Sequence, residues 1–370
     1  MKYYIIAGEA SGDLHGSNLI KALKGKDANA DIRCWGGDLM ESAGGALVKH
    51  YKEMAFMGFL EVLQNLGTIT KAIKFCKADI QKFDPDVIVF IDYSGFNLRI
   101  AKWAKKQGFK TNYYISPQIW ASREGRIKDI KRDIDAMYVI LPFEKEFYEE
   151  KHGFPVHFVG HPLIDAIGKQ KPIDEKKFRE AHKLDLEKPI IALLPGSRQQ
   201  EVQKMLAVML SVIKDFTPYQ FVIAGAPSLE ADFYTPFLGE PNIGFVTNKT
   251  YDLLSISYAA LVTSGTATLE TAIFKVPQVV CYRANWFSYQ IAKRIITLKH
   301  ISLVNLIMDK EVVKELIQGE LTTKNLNSEL GKILDGPSRK EQFEAYFELE
   351  KKLGGLGASD NAATLIVENV

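Results

Sequence analysis

The sequence predicts an α/β protein with two doubly wound, parallel-sheet halves. Three observations carry this: short apolar runs recur along the chain, amphipathic stretches long enough for crossover helices separate them, and the series restarts near the middle. The first runs lie at 3–7, 87–91, 111–115, 136–141 and 156–159. Each is bounded by Gly, Pro or Asp and is apolar at successive positions, as a strand covered on both faces must be. The second series is expected at 190–194, 220–224, 243–246, 260–263 and 278–282. The charged stretch at 165–188 reads as the linker. From 341 one helix runs to a break at Gly354-Gly355-Leu356-Gly357, and a short apolar helix follows at 362–367. The expected domains are therefore 1–168 and 169–340, with 341–370 returning to the first.

Composition narrows the function classes. The chain has 370 residues, 46% of them hydrophobic, and 47 Lys+Arg against 45 Asp+Glu. At roughly 150 residues per domain this makes about two domains and excludes a disordered or fibrous protein. A net charge of +2 gives no electrostatic ground for nucleic-acid binding. Cys34, Cys76 and Cys281 are too scattered for a disulfide framework or a zinc site. No run approaches the ~18 apolar residues of a membrane span, and the N-terminal run is too short for a signal peptide, so a cytoplasmic protein is expected.

Doubly wound sheets bind ligands beyond the carboxyl ends of their strands, so the strand-to-helix turns come first. The opening turn is Gly8-Glu9-Ala10-Ser11-Gly12-Asp13-Leu14-His15-Gly16. Its glycines let a ligand approach the backbone, and the helix start favours an anion, with Gly12, Asp13 and His15 as sugar contacts. A turn capped by Ser11 or Asp13 accounts for the same residues. The spacing matches neither a dinucleotide fingerprint nor a Walker loop, which sets nicotinamide and ATP aside. The run at 87–91 leads into Asp92, a carboxylate whose desolvation at a strand end would raise its pKa and suit it to be a general base; an N-cap or turn role competes. Asn97 lies five residues on. The loop Ser116-Pro117-Gln118-Ile119-Trp120-Ala121-Ser122-Arg123, followed by Arg126, offers Gln118, Trp120 or Arg123 to a sugar or phosphate. Lys128, Lys131 and Arg132 read as a solvated helix face.

In the second half, Leu194-Pro195-Gly196-Ser197-Arg198 joins a tight turn to an arginine. Gly196, Ser197 and Arg198 would seat a diphosphate without a metal, since a guanidinium and a helix start both neutralise phosphate. Ser264, Gly265 and Thr266 repeat the arrangement, and Glu270 stands where it would accept the hydroxyls of a ribose. Two such turns indicate a nucleoside diphosphate, while simple helix capping by Ser264 or Thr266 is compatible with both readings. His152, His157 and His161 fit no metal spacing and read as structural. One apolar stretch, with Phe56, Met57, Phe59, Leu60 and Leu63 ahead of Lys71 and Lys74, is either core or a patch for acyl chains or a membrane surface.

Taken in order, Ala7 to Asp13, Met57 to Leu63, Ile91-Asp92 with Phe96-Asn97, Leu141-Pro142-Phe143-Glu144, Val159-Gly160-His161-Pro162, Leu194 to Arg198, Thr263 to Glu270 and Ser302-Leu303-Val304-Asn305-Leu306 make a sequence that resembles the lipid-A-disaccharide synthase family over nearly its whole length. The resemblance implies a GT-B glycosyltransferase, two Rossmann-like domains facing across a cleft. It implies inverting transfer of a diacylated glucosamine from UDP to the 6-hydroxyl of a diacylated glucosamine 1-phosphate, with no metal or other cofactor. Asp92 would be the base, Arg198 would assist the leaving phosphate, and Gly196, Ser197, Ser264, Gly265, Thr266 and Glu270 would complete the UDP site. Asn97, Gln118 and Asn305 would face sugar. The patch would meet lipid on the cytoplasmic face of the inner membrane, and a homodimer is compatible with the family. One departure stands out: where the family often has Pro-Asp-Phe-Asn, this chain has Ser94-Gly95-Phe96-Asn97, so a second carboxylate near Asp92 is missing from that segment. The rivals are a UDP-N-acetylglucosamine 2-epimerase, a peptidoglycan glucosaminyltransferase, and a bilobal binding protein without chemistry.

Overall fold

The computed structural model describes residues 1–53, 66–240, 242–283 and 299–370. The chain divides into two α/β units, Met1–Asp165 with Leu353–Val370, and Ala166–Lys352. The first holds strands β1 (Lys2–Ala7), β2 (Asp31–Gly36), β3 (Ala46–His50), β4 (Val87–Ile91), β5 (Lys110–Tyr114), β6 (Ala136–Val139) and β7 (His157–Phe158). They form one parallel sheet in the order β3-β2-β1-β4-β5-β6-β7. The chain winds outward from β1, then jumps back to β4 and winds the other way. That reversal leaves a crevice between the ends of β1 and β4, where doubly wound sheets place ligands.

The second unit repeats the plan with β8 (Ile190–Leu194), β9 (Gln220–Gly225), β10 (Ile243–Thr247), β11 (Ser257–Thr263), β12 (Gln278–Tyr282) and β13 (Lys314–Ile317). Its parallel order is β10-β9-β8-β11-β12-β13, so the reversal falls between β8 and β11. Both central pairs are apolar because helices cover both faces: all five residues of β4 and all five of β8 are buried.

The sheets have strands that the apolar runs do not announce. β2 carries Asp31 and Arg33, and β3 and β13 lie at sheet edges with half-exposed residues. Arg33 is accommodated by Asp79, Nη2 to Oδ1 2.6 Å, and Asp79 also accepts from Tyr4 at 2.7 Å. The expected linker at 165–188 is instead packed structure, with helices Pro162–Gly168 and Glu175–Ala181. Arg179 is buried there, donating to the carbonyls of Asp185 (2.6 Å) and Lys188 (3.0 Å).

The return to the first unit comes later than 341. Helix Pro337–Lys352 lies in the second unit, where it buries Gln342, Tyr346 and Leu349. Residues 353–357 then turn through positive φ at Gly354, Gly355 and Gly357. Asp165 fixes the turn by accepting from the amides of Gly357 (2.6 Å) and Ser359 (3.2 Å). Helix Ala358–Glu368 then packs on helix Ala10–Lys26.

Candidate active site

In the first unit, the reversal between β1 and β4 brings the Gly8 turn beside Asp92. Asp92 and Tyr93 both adopt positive φ, 42° and 46°, conformations that cost residues with a Cβ about 1–3 kcal/mol each. The structure holds this strain from beneath. The Asp92 carbonyl accepts from Asn97 Nδ2 at 2.8 Å and from the Tyr113 hydroxyl. Asn97 Nδ2 also reaches the carbonyls of Ile91 (3.2 Å) and Ile6 (3.4 Å), tying β1 to β4 at their ends. Gly8 is required here because a Cβ would stand 2.2 Å from the Tyr93 ring.

The electrostatics of this turn favour a base. Burial, and then the nearby Glu9 carboxylate, push the Asp92 carboxyl up to about 6, against a backbone amide that stabilises its charged form. At neutral pH it is ionised yet poorly solvated, the condition a proton acceptor needs. Glu9 supplies a second carboxylate from the β1 turn, and it has no counterpart in the reading of the sequence around Gly95.

Several residues of the sugar set have structural partners instead. Asn97 is fully buried under the turn and positions Asp92. Asp13, also buried, accepts from the amides of Gly37 (2.8 Å), Leu39 (3.2 Å) and Met40 (3.0 Å), capping helix Asp38–Ser42. Gly12 lets its helix approach β1, since a Cβ would lie 3.0 Å from that of Ala7. Burial lowers the His15 pKa to about 4, which keeps its ring neutral. Burial, with His15 nearby, lowers that of His161 to about 3. Gln118 is exposed. Its loop is held by buried Glu144, which accepts from Ser116 (2.5 Å), the Trp120 indole (3.1 Å) and the amides of Ile140 (3.1 Å) and Leu141 (2.9 Å).

In the second unit, the β8 turn and the β11 turn flank the other reversal. Gly196 has φ 105° and Arg198 caps helix Gln199–Met209 with its side chain exposed. The Glu201 side chain lies against the turn, its Oε2 2.6 Å from where a Cβ on Gly196 would stand. Burial pushes the Glu201 carboxyl up, opposed by the Arg198 charge and the backbone of Ser197 and Arg198. Ser228 donates to the Ser197 carbonyl at 2.8 Å. Across the reversal, Gly265 has φ 149° and precedes helix Thr266–Ile273, with Gly265 and Thr266 exposed. Ser264 spends its hydroxyl on the Ile301 carbonyl at 2.9 Å. Glu270 accepts from Tyr251 at 3.0 Å, and burial raises its pKa.

Asn305 lies behind this turn rather than in it. It is fully buried and its amide is saturated: Nδ2 donates to the Val313 carbonyl (2.8 Å) and Glu315 (2.9 Å), while Oδ1 accepts from Val312 (2.7 Å) and Val313 (3.0 Å). Glu315 in turn accepts from the amides of Ile301 (3.0 Å) and Ser302 (2.9 Å). Asn305 thus supports the backbone that anchors Ser264. The apolar patch with Phe56, Met57, Phe59, Leu60 and Leu63 lies outside the described residues. Among those described, no helix is long and apolar enough to cross a membrane.

Comparisons with known proteins bear on the fold and the family. In fold, the chain is similar to UDP-GlcNAc 2-epimerase from Neisseria meningitidis, solved bound to UDP-GlcNAc (TM-score 0.68, 14% identity, 100% of this chain and 99% of that one). It is also similar to UDP-GlcNAc 2-epimerase from Methanocaldococcus jannaschii (TM-score 0.62, 15% identity, 100% of both). In sequence, it is 40% identical to lipid-A-disaccharide synthase of Geobacter metallireducens, over 98% of this chain and 96% of that protein. It is 38% identical to the enzyme of that name from Coxiella burnetii strain CbuK_Q154, with the same coverage. The family model for lipid-A-disaccharide synthetase matches residues 3–368. With two Rossmann-like units and a match spanning nearly every residue, the chain belongs to the lipid-A-disaccharide synthase family.

Proposed function

We propose that this chain transfers a 2,3-diacylglucosamine unit from UDP to the 6-hydroxyl of 2,3-diacylglucosamine 1-phosphate, forming lipid A disaccharide 1-phosphate and UDP. Family membership supports the reaction, and the observation that carries the mechanism is the strained, desolvated Asp92. In this reading the acceptor O6–H gives its proton to Asp92 as O6 forms a bond to the donor's anomeric carbon. The bond from that carbon to the diphosphate breaks, its electron pair leaving with UDP, and attack from the opposite face inverts the centre. The first unit supplies the base; the second supplies the seat for the leaving diphosphate.

Arg198 offers the exposed guanidinium that neutralises the phosphates as charge develops on them. Ser264, Gly265 and Thr266 line the facing turn, and Glu270, oriented by Tyr251, accepts the ribose hydroxyls. Diacylated substrates bring the enzyme to a lipid surface, in this reading the cytoplasmic face of the inner membrane. Lys71, Lys74 and half-exposed Phe75 on helix Leu66–Phe83, which follows the apolar stretch in the sequence, support that placement.

The test is UDP release from UDP-2,3-diacylglucosamine by the purified protein, with and without 2,3-diacylglucosamine 1-phosphate, in the presence of EDTA. Acceptor-dependent release with a disaccharide product is expected. An epimerised sugar, or release indifferent to the acceptor, would overturn the assignment.

A further inference from the structure

We propose that Arg123 and Arg126 form the seat for the acceptor's phosphate monoester beside the base. This rests on the transferase reading above and adds to it the group that selects the acceptor.

Arg126 lies next to the Asp92 turn: its Nη1 donates to Ser94 Oγ at 3.2 Å, and Ser94 follows Asp92-Tyr93 at the start of helix Ser94–Lys106. Tyr113, whose hydroxyl donates to the Asp92 carbonyl, lies in the fields of both Asp92 and Arg126. The phenol thus holds the backbone of the base, and the guanidinium reaches the side chain two residues beyond it. In the acceptor sugar, C1, which carries the phosphate, and C5, which carries the reacting hydroxymethyl group, flank the same ring oxygen, so the sugar needs an acceptor of protons and a cationic seat in adjacent places.

The cations of this turn lack counter-charges. Burial disfavours the charged form of half-buried Arg126, and Arg123 and Arg99 add like charge to it. The nearby carboxylates are engaged elsewhere. Glu124 pairs with Lys151 (2.8 Å) and His152 (3.0 Å), and Asp129 pairs with Arg132 (2.7 Å). Among the described residues, Arg99, Arg123 and Arg126 have no ion pair. Arg99 and Arg123 are exposed, but Arg126 is partly buried; such charges are ordinarily paired, so an unpaired one beside the Asp92 turn points to an anion from outside. Two guanidiniums suit a phosphate, which accepts their planar forks in pairs.

The scaffold is rigid enough to aim them. Arg123 itself has φ 62°, and it closes the turn Glu124–Arg126 by accepting the Arg126 amide at 3.0 Å. Upstream, Ile115 at φ 65° and the Glu144 contacts to Ser116 and Trp120 fix the loop, and Tyr148 donates to the Pro117 carbonyl at 3.2 Å.

The experiment compares kcat/KM for 2,3-diacylglucosamine 1-phosphate and for the same sugar without its phosphate, in the full chain and in Arg123→Gln and Arg126→Gln. The unaltered protein is expected to prefer the phosphorylated acceptor by roughly tenfold to a hundredfold, the range of charge-assisted contacts. Each variant should reduce that preference toward unity while leaving the KM for the donor unchanged. If the preference survives in both variants, or if both acceptors and the donor suffer alike, the phosphate seat is wrong although the transferase stands. No disaccharide from either acceptor in the unaltered protein would overturn the transferase reading itself. Should Arg126→Gln not fold, exposed Arg123→Gln carries the same comparison.

Discussion

The turn after β4 and the turn after β8 each flank the reversal of a doubly wound sheet, the first on its far side and the second on its near side, and they are built differently. At the first, positive φ falls on Asp92 and Tyr93; at the second, it falls on Gly196, with Gly265 across the reversal. Glycine adopts such angles without steric cost, so the second site is relaxed and the first is strained. The first concentrates carboxylates in a desolvated turn, and the second presents an exposed arginine and helix starts. On the proposed mechanism this difference is a division of labour: one unit holds a proton acceptor in a strained turn, and the other provides a low-strain seat for an anion.

Three changes sharpen or break that contrast. The largest effect is expected from Arg198→Ala, which removes the charge facing the leaving group. It should lower kcat/KM for the donor by about 10²–10³ with little change in acceptor KM, measured by steady-state kinetics. Equal damage to acceptor KM would blur the two roles. Next is Asn305→Ala, which leaves the amides of Val312 and Val313 and the Glu315 carboxylate short of partners behind the Ser264 turn. A loss of about 2–3 kcal/mol in stability is expected by chemical denaturation, with the pH–rate profile unmoved. A shifted profile would mean that the networks of the two units are not separate.

The smallest effect belongs to Glu9→Gln. Asp92 works as a base only when ionised, so the rate should rise with pH through about 6. The Glu9 charge holds that value up, second to burial, so removing it should move the acid limb to lower pH by a few tenths of a unit. An unmoved limb would assign the raised value to burial alone.

Much of this was legible in the sequence, for physical reasons. The central strands β4 and β8 bury every residue, so they read as unbroken apolar runs, and the turns after them put Asp92 and Arg198 forward as candidates. Edge and near-edge strands were not legible, because β2, β3 and β13 mix charged and apolar residues. A motif shows that a residue is present but not where its side chain points. Asp13, Asn97 and Asn305 sit in the motifs yet face backbone amides and carbonyls, and composition does not encode that direction. Glu201, three residues after Arg198, carried no capping-box signal, because an arginine and not Ser or Thr stands at the cap. Tyr251 carried none, since it meets Glu270 only through the fold of the sheet.

The central claim is that Asp92 acts in the proton-transfer step while the second unit holds the nucleotide. The direct test is to measure UDP binding by calorimetry and disaccharide formation in a single turnover for Asp92→Asn. The account predicts UDP affinity within about twofold of the unaltered protein and a turnover rate lower by about 10²–10⁴. Parallel loss of binding and turnover would contradict it, making Asp92 a structural residue of its strained turn.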